Sequence, residues 1–164
     1  MNVGVHEGGC LCGAMRYATS AEPLRVHICF CRFCQRATGS NAMVEPLFER
    51  PAHTVIHGSP ATFSLASGGS GKQIKISFCN SCGTKLFQEF ERFPTIVGVY
   101  AGTFDDPNWF DRSPVNTKYM FLEAAQEGTI IPAGFNTFHE SHTLKDGTPA
   151  IPEIYDEPYV IKRR

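Results

Sequence analysis

Lys72-Gln-Ile-Lys-Ile-Ser-Phe78-Cys79-Asn-Ser-Cys82-Gly83-Thr84 carries two signals in one run. Ile74, Ile76 and Phe78 alternate with polar residues, the period of a strand that buries one face. The strand delivers the chain straight into a C-x-x-C knuckle. Two thiolates on one turn can converge on a single ion, and a glycine after the knuckle lets the backbone take the positive φ that such a turn needs. Upstream, Gly8-Gly-Cys10-Leu-Cys12-Gly13 ends in the same Cys-Gly step and feeds a second predicted strand, Ala14 to Thr19. The shared ending pairs Cys10 and Cys12 with Cys79 and Cys82 in one four-thiolate site.

The chain has 7 cysteines, so this pairing leaves Cys29-Phe-Cys31-Arg-Phe-Cys34 over. Three protein ligands and one open position are what a catalytic zinc uses. Disulfides explain the pattern less well: Cys10 and Cys12 are too close for a relaxed bond, and an odd count strands one thiol. A thioredoxin-type redox pair would ask for one C-x-x-C at a strand-to-helix turn, and no helical pattern follows the clusters.

At 164 residues with 42% hydrophobic residues and 13 Phe, the chain has the material for a core, so metal is an addition to it. The expectation is one domain, residues 1–164. A formal net charge of -1 shows no basic excess that would announce nucleic acid, and only Lys162-Arg163-Arg164 is locally basic. Residues 1–9 lack a signal-peptide pattern and no apolar stretch reaches membrane-spanning length, so a cytoplasmic location is expected, where thiolates stay reduced.

The 15 Gly and 11 Pro are spread throughout, which cuts the chain into the short segments of a mainly β domain. Besides the two strands above, Leu24 to Phe30, His53 to His57 and Thr95 to Tyr100 read as strands. Gly68-Gly-Ser-Gly71 reads as a hairpin connection, since no Lys-Ser or Lys-Thr follows to make a phosphate loop. Phe121 to Glu127 suits a short helix or a strand equally.

Gly8-Gly-Cys-Leu-Cys-Gly13, Cys29-x-Cys31-x-x-Cys34-x-Arg36, Phe78-Cys-x-x-Cys-Gly-Thr84 and Gly102-Thr-Phe-Asp-Asp-Pro107 together resemble the glutathione-dependent formaldehyde-activating enzymes, a family that includes centromere protein V. The motifs run in order over residues 8–107. The resemblance implies a β-tent fold of short antiparallel sheets, a structural zinc on Cys10, Cys12, Cys79 and Cys82, and a catalytic zinc on Cys29, Cys31 and Cys34. It also implies a carbon-sulfur lyase that joins formaldehyde to glutathione as S-hydroxymethylglutathione. Two departures stand out: Phe30 occupies a position where many members have His, and residues 111–164 lack the family's usual aromatic-rich ending.

Glutathione carries two carboxylates, which need Arg or Lys to hold them. Arg36 is the first candidate for this, with Arg32 and Lys85 behind it. His27 shares a strand face with Cys29 and is either an ordinary strand residue or a group that completes the zinc shell or moves a proton. Trp109 and Phe110 suit a pocket wall or a core. Two other classes compete with the lyase: a non-catalytic zinc module that binds a protein partner, and methionine-sulfoxide reductase chemistry, where both knuckles would be C-x-x-C.

Overall fold

A computed structural model describes residues 4–162. Arg163 and Arg164 of the basic terminus, and the first three residues, lie outside the described part. Among the described residues the strands are β1 (His6–Gly9), β2 (Arg16–Thr19), β3 (Arg25–Cys29), β4 (Met43–Glu49), β5 (His53–His57) and β6 (Ala61–Ala66). They continue as β7 (Gln73–Phe78), β8 (Lys85–Phe90), β9 (Phe93–Val99), β10 (Thr117–Met120), β11 (Ile130–Ile131), β12 (Asn136–Phe138) and β13 (Tyr159–Val160). One helix, α1 (Arg32–Thr38), and 3-10 turns at Arg50–Ala52, Ala101–Thr103 and Leu122–Ala124 complete the elements. The fold is mainly β and built of short sheets, as expected. Among the described residues no helix is long and apolar enough to cross a membrane.

The chain divides into two compact units, one running up to Leu24 and resuming over Pro46–Asp111, the other formed by Arg25–Glu45 with the chain from Arg112 onward. In the first unit β1, β2 and β5 form an antiparallel sheet, and the end of β4 leads an antiparallel run in the order β4-β9-β8-β7-β6. The alternation read in β7 is real at Ile76, which is buried between Phe63 of β6 and Gln88 of β8, but Ser77 on the other face is buried too. The glycine-rich stretch closes the β6–β7 hairpin, with the Ser67 N–H donating to the Lys72 carbonyl at 2.8 Å and Gly71 N–H to the Ser67 carbonyl at 2.8 Å.

Tyr17, Phe48 and Phe104 centre the core of this unit, and Trp109 stacks on His6 with ring centroids 3.9 Å apart. Phe110 is buried in this core, while Trp109 is half-buried and packs its ring against Phe48, Phe104 and Phe110. Gly58 and Gly8 are obligatory: a Cβ on Gly58 would lie 2.3 Å from the Ala14 carbonyl oxygen, and one on Gly8 2.4 Å from the Tyr17 hydroxyl.

The second unit departs from the antiparallel expectation. β10 pairs in parallel with both β3 and β12, so Met120 lies beside Cys29 and Phe138 beside Met120. Its core gathers Phe30, Leu122, Ile131 and Ile161. The segment 121–127, open between helix and strand in sequence terms, is a 3-10 turn at Leu122–Ala124 entered through Phe121, whose φ of 60° is in the left-handed region. That reversal buries Leu122 and turns the Ala124 carbonyl toward α1.

Candidate metal centres

The first unit builds one cluster from two knuckles of the same design. At the first, Gly13 N–H donates to the Cys10 carbonyl at 3.1 Å, and Met15 N–H donates to the Cys10 sulfur at 3.2 Å. At the second, Gly83 N–H donates to the Cys79 carbonyl at 2.8 Å. Gly13 and Gly83 take φ of 78° and 73°, the conformation for which glycine was expected at both places. Thr84 ties the knuckles together: its hydroxyl accepts from Leu11 N–H at 3.2 Å and lies 3.1 Å from the Cys82 sulfur. The bond from Thr84 holds the Cys82 thiol down at about 5.

The sulfurs of Cys10, Cys12, Cys79 and Cys82 all lie within 4.8 Å of one another, with Cys10 to Cys12 at 3.6 Å and Cys12 to Cys79 at 3.7 Å. Four sulfurs at about 2.3 Å from a tetrahedral ion stand about 3.8 Å apart, whereas a disulfide needs about 2.05 Å. The spacing fits a metal ion and not a disulfide.

The second unit builds the other cluster at the junction of β3 and α1. Cys29 ends β3 and is buried, Cys31 is the N-cap of α1, and Cys34 is buried in the first helical turn. Their three sulfurs also lie within 4.8 Å of one another. The helix dictates this: Cys31 Sγ accepts from the Cys34 N–H at 3.4 Å, so the capping bond that starts the helix also folds the two thiols onto one side. The neighbouring Cys29 and Cys34 thiols hold the Cys31 thiol well below the usual range; Cys31 and burial push Cys29 up, and Cys29, Cys31 and burial push Cys34 up. A proton-poor sulfur flanked by two donors is a pre-arranged soft ligand set.

α1 itself was not anticipated. Its seven residues are too few to show a 3.6-residue period, and its ends carry the information instead: Cys31 as cap and Gly39 at φ 67°, whose N–H returns to the Gln35 carbonyl at 2.8 Å. Arg36 sits exposed on this helix and, with Arg32, Gln35, Asn41 and Gln126, lines an open cavity of about 320 Å³. Arg32 and Arg36 thus share one wall of this cavity, and none of the three cysteines is among its lining residues. Lys85 is not among them; it opens β8 in the first unit. His27 is buried and held neutral by that burial, with its ring against His142 at 4.9 Å and no hydrogen-bond partner on Nε2. It is not part of the three-sulfur group.

Residues 5–121 match the family described as glutathione-dependent formaldehyde-activating enzyme. The chain belongs to that family. A relative from Halomonas elongata, provisionally named a glutathione-dependent formaldehyde-activating enzyme, is 28% identical over 102 residues, covering 60% of this chain and 65% of the relative. The chain thus spans just under two thirds of that relative's length. A solved structure of a Rhodobacter sphaeroides protein aligns with a TM-score of 0.49 at 22% identity, over 60% of this chain and 87% of that one. Within the family match fall all seven cysteines, Arg32, Gln35 and Arg36; residues 122–164 lie beyond it.

Proposed function

We propose that this family member is a zinc-dependent carbon-sulfur lyase of the cytoplasm that forms S-hydroxymethylglutathione from formaldehyde and glutathione. The observation that carries the reading is the three-sulfur cluster of Cys29, Cys31 and Cys34 at the head of the helix whose Arg32 and Arg36 wall an open polar cavity. In this reading Cys10, Cys12, Cys79 and Cys82 hold a structural zinc, so the chain carries two ions. At the three-cysteine site a bound zinc supplies a soft, electrophilic open position suited to a thiol.

The protein's own groups supply recognition and orientation. Arg36 is exposed at the cavity wall, where its guanidinium can take a substrate carboxylate in a two-pronged contact. Cys29 and Cys34 are buried and Cys31 is half-buried, so of the three thiols Cys31 is the most accessible to solvent. The reaction adds the thiol S–H across the carbonyl: a carbon-sulfur bond forms, the carbonyl π pair becomes the new hydroxyl, and the thiol proton ends on its oxygen. No redox partner is consumed.

The test is product formation from formaldehyde and glutathione above the uncatalysed rate, which is appreciable for this aldehyde. Wild type should exceed the background and Cys31→Ser should return to it while keeping its fold. Both proteins at background would remove the formaldehyde reading and leave a non-catalytic zinc module as the description to pursue.

A further inference from the structure

Gln35 is buried at 5% exposure, yet it lies between two exposed arginines on a helix whose outer face lines the cavity. Arg32, Gln35 and Arg36 fall at i, i+3 and i+4, one face of α1. The Gln35 side-chain amide uses both of its N–H groups inward: Nε2 donates to the Phe30 carbonyl at 2.6 Å and to the Ala124 carbonyl at 2.8 Å. Phe30 stands between Cys29 and Cys31, so the first bond fixes the peptide that links two members of the cluster. Ala124 closes the 3-10 turn that Phe121 opens, so the second bond fixes the C-terminal segment against the same helix. With both donors used, the amide has only Oε1 left, and Oε1 accepts from Arg32 Nη1.

The orientation of the amide is determined, not arbitrary. Turned over, it would set an oxygen against two carbonyl oxygens and a donor against the arginine. Glutamate in its place would have no protons for the carbonyls, and lysine no acceptor for the guanidinium. An exposed arginine ordinarily wanders among rotamers, and ordering it costs entropy at the moment of binding. Here that ordering is done in advance.

We propose that Gln35 is a positioning residue that pins Arg32 at the cavity wall as the second carboxylate-binding group beside Arg36, in register with the Cys29-Phe30-Cys31 turn. The inference rests on the glutathione reading above and deepens it: substrate selection falls on peptide thiols with free carboxylates, and it is tied by one side chain to the geometry of the cysteine cluster.

The experiment compares glutathione with its diethyl ester, in which both carboxylates are masked, for the zinc-loaded wild type, Arg32→Ala, Gln35→Met and the double variant. KM and kcat are read by product formation and Kd by calorimetry. Arg32→Ala should raise KM and Kd for glutathione about tenfold or more, the loss of one charge-assisted contact, while leaving kcat within about threefold. The ester should bind weakly to wild type and respond little to either substitution. Gln35→Met should mimic Arg32→Ala, and the double variant should be no worse for glutathione than Arg32→Ala alone, because Gln35 acts through Arg32.

If wild type binds neither compound, the glutathione reading falls and this inference with it. If wild type prefers glutathione and both single variants keep that preference, the glutathione reading stands and the role of Gln35 is overturned. Equal losses for glutathione and ester in Gln35→Met would also overturn it, since they would mark a purely structural residue. Should Gln35→Met fail to fold, Arg32→Ala decides: a tenfold shift in the ratio of glutathione to ester supports the pinned arginine, and an unchanged ratio refutes it.

Discussion

At single residues the chain shows which of its glycines are conformational necessities. Gly58 combines φ of 80° with a Cβ position 2.3 Å from a backbone oxygen, so Gly58→Ala adds a clash to a backbone strain. Gly13 has the positive φ and open space around it, and Gly68 has open space without the positive φ. Alanine should therefore cost more than about 2 kcal/mol at Gly58, about 1 kcal/mol at Gly13 and within about 0.5 kcal/mol at Gly68, read by denaturant unfolding of the zinc-loaded protein. Near-equal losses at the three positions would contradict the ordering.

His53 supplies a pH dependence of the same local origin. Burial lowers its imidazole to about 4, with the ring packed 4.4 Å from Phe87 and 5.3 Å from Tyr17. A base depressed in the folded state binds fewer protons there than in the unfolded chain, whose imidazole titrates near about 6.5. The protein is thus at full stability, for this residue, above about pH 6.5 and loses stability as pH falls toward 4, by at most about 3 kcal/mol. His53→Phe keeps the ring packing and should flatten the part of the acid limb between pH 6.5 and 4. Parallel curves for the two proteins would rule His53 out as a contributor.

Among the elements, α1 is the one that carries a site, and its two ends can be tested separately. Serine caps a helix as well as the Cys31 sulfur does, so Cys31→Ser should preserve the helix while removing one of the three proposed metal ligands. Elemental analysis should show one zinc per chain in place of two, with the circular dichroism unchanged. Gly39→Ala acts at the other end, where φ of 67° makes a Cβ unfavourable; a loss of about 1 kcal/mol with metal content intact is expected. Retention of both ions by Cys31→Ser would show that its thiol is not a ligand.

On the scale of the whole chain, each compact unit has its own cysteine cluster and its own core, so the two proposed ions should answer differently to removal. The four-thiolate cluster joins strands β1 and β2 to the β7–β8 turn through sulfurs 67 residues apart in sequence, whereas the three-thiolate cluster is local to six residues of one segment. A closed structural zinc contributes on the order of 10 kcal/mol of apparent folding free energy. Stepwise chelation should therefore release one ion without a change in melting, and a second only with unfolding. Cys79→Ser should give insoluble or loosely packed protein, and a well-folded variant holding both ions would show the ligands to be grouped wrongly.

The cysteine groups, the strand Gln73–Phe78, the positive φ at Gly13 and Gly83 and the hairpin at Gly68–Gly71 were all legible in the sequence, because each is written within a few residues of itself. Ligand spacing, alternation and turn chemistry are local rules. β4 escaped because Pro46 interrupts it, and β8 because Leu86, Phe87 and Gln88 are buried in succession and leave no alternation to read. α1 is too short for periodicity and depends on its caps and on Gln35. Arg36 was already the first candidate in the sequence. That Arg32 and Gln35 line the same cavity while Lys85 opens β8 belonged to the tertiary structure. So did the Gln35 hydrogen bond to Ala124, which spans 89 residues, because no local rule says which carbonyl a distant turn will present to a helix.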